Sequence, residues 1–154
     1  MYGMDNSTLL SQNLVPQLAD YLSETPERLS PVLNLIETHL SKALSRQASS
    51  PIGYAVIRGQ LNENIFQEIT ANADLLADLA ALGDRIMGRM LPGQKSGMVG
   101  EVMQQAKMRI PTATFLICVS VCCFVKHVGA QIEANNWDDA ALRVHLLGTR
   151  TEYA

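Results

Sequence analysis

Cys118, Cys122, Cys123 and His127 are the residues whose types and spacing come nearest to chemistry. On a helix, Cys118 and Cys122 stand four apart, as do Cys123 and His127. Each pair then faces one way and could share a metal ion or set a thiol beside a base. A structural zinc needs four ligands at once, and these two pairs point about 140° apart. The three cysteines also share one apolar run, which keeps a thiol protonated and opposes nucleophilic use. Their expected role is compact core filling. An odd, clustered set does not form a disulfide framework and suits a reducing, cytoplasmic compartment.

A phosphate loop is the next chemistry to test. The segment from Gly88 to Gly93, Gln94, Lys95 and Ser96 approaches one. Such a loop needs glycine running directly into Lys-Ser after a strand, so that backbone amides wrap the phosphate. Here Gln94 intervenes and a helical pattern precedes, so the expected role is a helix–helix connection with Gly93 and Gly97 as permissive turns. Asp74 with Asp78, and Asp138 with Asp139, are paired carboxylates, but both pairs sit where first turns of helices are expected, and carboxylates favour such places for dipole reasons alone. His39 and His145 are scattered. No cofactor and no catalytic constellation is expected.

Charge supplies a sharper feature. The chain of 154 residues has a formal charge of −3, 47% hydrophobic, 18% charged and 5% aromatic residues. That apolar content excludes a disordered chain, and the balance gives no global basic field for nucleic acid. The charge is unevenly spread: −6 over residues 1–84, +5 over 85–130 and −2 over 131–154. Arg85, Arg89, Lys95, Lys107 and Arg109 are therefore candidates for an anion- or partner-binding face. The competing expectation is that acidic and basic segments neutralise one another. Met90 and Met98, with Met87, Met103 and Met108, flank the glycine turn and could add an adaptable partner-binding surface or fill the core.

Helical punctuation positions these residues. Thr25-Pro26, Ser30-Pro31 and Ser50-Pro51 each pair a capping residue with a proline suited to a first helical position. Leu33, Ile36, Leu40 and Leu44 predict one amphipathic helix over 31–47. Shorter helices are predicted near 51–59 and 61–70. Asn72 is placed as the cap of a helix whose buried stripe is Leu75, Leu79, Leu82, Ile86 and Met90, ended by Pro92-Gly93. Val99, Val102, Met103 and Ala106 form one side of the next. From Arg109 to Lys126 no charge intervenes across 16 residues, short of the roughly 20 that span a bilayer. Thr112–Val125 therefore predicts a buried central helix, with peripheral membrane contact through 112–125 as an alternative and no integral span expected. A last helix is predicted with Asn135 or Asn136 as cap and Gly148 at its end. Pro16 is expected to break the first apolar segment into two short helices. Met1–Leu14 lacks the basic and apolar regions of a signal peptide.

The stretch Leu75–Gly129 resembles a bacterial helical family of unknown function that includes the YidB-like proteins. The matching features are Leu75-Leu76 and Leu79 before a glycine-marked end (Ile86, Gly88, Leu91, Gly93). A short helix ending near Ile110 follows, and then an apolar helix closing with Val125 and Gly129. Thr25-Pro26-Glu27 with Leu33 and Leu40 is similar to the family's opening, and Leu142, Leu146 and Leu147 to its ending. Cys122-Cys123 stands where the family tends to an Ala-Pro-like step. The resemblance implies an all-α fold, related in some members to helix-turn-helix or homeodomain arrangements. It implies no activity and no catalytic residue.

The expectation is thus one all-α domain over 1–154, with poorly ordered ends at 1–6 and 149–154. About six to eight helices would cross in an orthogonal, compact array around a central apolar helix near 111–130. Its expected function is non-enzymatic: an interaction module binding a protein partner or itself. Nucleic-acid or anion binding through 85–109 is the alternative.

Overall fold

Several helices start where a capping side chain or a proline relieves the unpaired amides of a first turn. In a computed structural model, which describes residues 14–152 and the side chains of 14–148, eight α-helices follow one another without a strand among the described residues. They are α1 (Leu14–Leu22), α2 (Pro26–Ala48), α3 (Pro51–Gln60), α4 (Glu63–Ala71), α5 (Leu76–Met90), α6 (Lys95–Ala106), α7 (Ile110–Asn135) and α8 (Asp139–Glu152). Residues 1–6, expected to be poorly ordered, lie outside the described residues, as do the side chains of 149–154.

Thr25 caps α2, its hydroxyl accepting from the Arg28 amide at 3.2 Å, with Pro26 as the first helical residue. The helix therefore begins five residues before the expected start at Pro31. Thr25-Pro26-Glu27 is already a complete start signal, and Pro31 rides on the exposed side of the second turn. Ser50 and Asn62 cap α3 and α4 in the same way, accepting from the amides of Gly53 and Ile65 at 3.0 Å.

Asn72 does not cap α5. It closes α4 instead, and its side-chain amide donates to the Glu68 carbonyl at 2.9 Å. The start of α5 has no side-chain cap, and Leu75, placed by its spacing in the buried stripe, precedes the helix and points to solvent. Leu79, Leu82, Ile86 and Met90 are buried as expected. Pro16 lies within α1, on its exposed side. The part of that segment before Leu14 lies outside the described residues.

The cap of α8 is Asp138, whose carboxylate accepts from the Ala141 amide at 2.9 Å. Asn135 and Asn136 end α7, with Asn136 left-handed at φ 51°. Gly148 lies inside α8 rather than beyond it.

The buried residues of all eight helices form one apolar cluster, with α7 at its centre. This helix contacts α2, α4, α5 and α6. It is long and apolar enough to cross a membrane by length and composition, and 56% of its apolar window is buried inside the protein. Within 112–125 most residues are buried, and Phe115, Cys123 and Phe124 are half-buried. Each fully buried aliphatic side chain stabilises the fold by about 1.5–3 kcal/mol. The tightest crossing is between α5 and α7, where Gly83 lies against the backbone of Cys118. At the other end of α7, Gly129 receives the ring of Phe66 from α4.

The last helix lies along α2. Its Leu142 and Leu146 enter the core, and Arg143 donates to the carbonyls of Ala48 and Ser49 at 3.2 Å. Asp139 ties α8 to α3, accepting from the Arg58 guanidinium at 3.0 Å and the Tyr54 hydroxyl at 3.2 Å.

Candidate interaction surface

The thiols are held in positions that suppress reactivity. Cys118 and Cys122 are buried on α7, and the Cys122 thiol donates to the Leu79 carbonyl at 3.3 Å. Burial pushes Cys118 up to about 11, assisted by the nearby Asp84 carboxylate, and pushes Cys122 and Cys123 up to about 12. Such thiols stay protonated at neutral pH and neither attack nor ligate readily. Among the described residues, no three His, Cys, Asp or Glu side chains come together as a metal would require.

His127 and His145 are both part-buried, and burial lowers each below the ordinary histidine value. For His145, the nearby His127 adds to the lowering. The ring of Trp137 covers His145 with centroids 4.7 Å apart. His39 lies within hydrogen-bond distance of Gln105, at 3.1 Å between α2 and α6.

The basic segment is divided by its neighbours. Arg85 on α5 donates to both oxygens of Glu68 on α4 at 2.9 Å. The Lys95 ammonium meets the Asp84 carboxylate at 2.5 Å, and this bond raises the lysine above its usual value. Two of the five candidate cations are thereby matched to carboxylates from the acidic first 84 residues. Arg89, Lys107 and Arg109 are exposed and make no ion pair among the described residues. Met90 is 0% exposed and Met98 6%. Both fill the core, as does Met87, because the apolar sides of α5 and α6 turn inward. They supply no surface to a partner in this fold.

An open surface forms elsewhere. Tyr21 at the end of α1 is 54% exposed and stacks on Phe115 of α7, with ring centroids 4.9 Å apart and planes 10° from parallel. Beside it lies a shallow groove of about 620 Å³ between α1 and the start of α5. Tyr21, Leu75 and Leu76 give the groove its apolar surface, and Leu75 is 52% exposed. Asp20, Asp74 and Asp78 also line it, all exposed and without an ion pair among the described residues. Sequence periodicity missed this site because it assigned Leu75 to the core. The usable signal was the Leu75-Leu76 doublet: adjacent helical positions point about 100° apart, so a narrow buried stripe cannot hold both.

Another open cleft, of about 520 Å³, lies between α4 and α7. It brings together Arg58, Lys126, Glu63 and Glu133, two charges of each sign, and offers no charge preference to a ligand. No protein-family model, curated protein or solved structure matches this chain.

Proposed function

We propose that this chain is a non-enzymatic helical interaction module that binds protein through the Tyr21–Leu75–Leu76 groove. One observation carries the reading: large apolar side chains stay open to water together, inside a rim of three exposed carboxylates. Isolated exposed apolar residues are ordinary, whereas an apolar patch with a polar rim is the usual build of a protein-binding surface. The suppressed thiols, engaged Arg85 and Lys95, and buried methionines direct attention away from the other candidate sites.

Affinity capture tests this reading. Wild-type chain, Leu75→Ser and Val144→Ser serve as baits, Val144 being an exposed apolar residue on α8. A partner, or a second copy, held by wild type and Val144→Ser but lost by Leu75→Ser is the expected result. Identical capture by all three baits, or none by any, would overturn the assignment.

A further inference from the structure

We infer that the occupant of the groove is a second copy of this chain, seated through its Lys107–Ile110 corner. The inference rests on the interaction reading above and adds the identity of the partner. The groove calls for an apolar side chain flanked by cations, because it offers Tyr21, Leu75 and Leu76 inside a rim of Asp20, Asp74 and Asp78.

The chain itself carries that complement. Ile110 opens α7 and is 56% exposed, while Lys107 and Arg109 beside it are exposed and form no ion pair among the described residues. The corner is held in shape. Lys107 takes the left-handed conformation at φ 56°, its amide donating to the Met103 carbonyl. Its own carbonyl accepts from the Arg28 guanidinium of α2 at 3.2 Å. A backbone already held in its docked shape leaves only the side chains to be ordered on docking.

The corner and the groove both border the start of α7. Tyr21 stacks on Phe115, and Ile110 lies five residues earlier on the same helix, about 7.5 Å along its axis and about 140° around it. A chain that carries a feature and its complement near one helix end can pair about a two-fold axis, each copy's corner entering the other's groove. Two equal contacts then form and the assembly closes as a dimer. Complementary charge would set orientation and add a salt-sensitive share of the affinity to that of the apolar contact. The expected dimer is weak, micromolar and sensitive to salt.

Sedimentation velocity on the full chain tests the inference, from micromolar to near-millimolar concentration at low and high salt. Two charge-reversed chains accompany it, Asp20→Lys with Asp74→Lys, and Lys107→Glu with Arg109→Glu, each checked for wild-type helicity by circular dichroism. Wild type is expected to dimerise at low salt and dissociate at high salt. Each reversed chain alone is expected to stay monomeric. Their equimolar mixture is expected to pair again, since an inverted groove then meets an inverted corner. A wild-type chain that is monomeric throughout, or a dimer indifferent to both reversals, overturns the inference. A monomer that still captures a partner dependent on Leu75 removes only the self-pairing, whereas one that captures nothing removes the interaction reading as well.

Discussion

The carbonyl group of Cys118 stands where a β-carbon on Gly83 would have to go. This contact lets α5 approach the central helix more closely than any side chain would permit. Gly88, five residues further along α5, has nothing within 4 Å of the same position. The two glycines therefore predict opposite outcomes. Gly83→Ala should destabilise by about 1–3 kcal/mol, since backbone must move to admit the methyl group. Gly88→Ala should stabilise by about 0.5–1 kcal/mol through lost freedom in the unfolded chain. Urea denaturation of both variants measures the contrast; equal effects of one sign would contradict the crossing geometry.

Acid should weaken the fold through His127 and His145. Burial holds both below the ordinary value of 6.5 in the folded chain. As pH falls through 6.5, the unfolded chain takes up protons that the folded chain refuses. Their contribution to stability is therefore complete above that pH and declines below it, until the folded histidines protonate as well. Urea midpoints between neutral pH and mild acid should fall, and His127→Gln combined with His145→Gln should flatten that fall.

Removing the Thr25 hydroxyl tests which proline starts α2. Thr25→Ala should cost about 1 kcal/mol, the usual loss for a helix cap, because the Arg28 amide loses its side-chain partner. Ser30→Ala should change stability by less than about 0.5 kcal/mol, since Ser30 is exposed inside the helix. Thermal unfolding of the two variants would reverse in order if the helix began at Pro31.

The ion pairs Arg85–Glu68 and Lys95–Asp84 join neighbouring helices at half-exposed positions. Arg85→Ala and Lys95→Ala should each cost no more than about 1 kcal/mol, and less in high salt. Stability curves at two ionic strengths check both the size and the salt dependence. A larger loss that ignores salt would place the cost in packing of the aliphatic stems instead.

The elements were legible wherever local signals decided them. Ser50-Pro51 set the start of α3, and the uncharged run after Arg109 marked the central helix. Boundaries failed where two local signals competed. Thr25-Pro26 and Ser30-Pro31 both look like starts, and only the first is one, because Pro31 can lie on the open side of a running helix. Asn72 has the chemistry to cap a following helix and equally to close a preceding one, which it does by donating to Glu68. The charge division of the chain anticipated that acidic and basic segments would meet, but no spacing tells which carboxylate reaches Arg85 across seventeen positions. The groove was least legible of all. It depends on which way α1 lies against α5, and on Leu75 falling just outside the helix that its spacing assigns it to.

The three thiols of α7 have a practical consequence. A thiol reagent can reach Cys118 and Cys122 only when the helices around them part, because both are buried in the centre of the fold. Cys123 is only half-buried, so it is in a Cys123→Ser chain that the rate of consuming such a reagent reports how often the interior opens, without an added label. In a chain whose central helix carries its own chemical clock, the same reading can follow every variant above, and show whether pairing of two copies slows the opening.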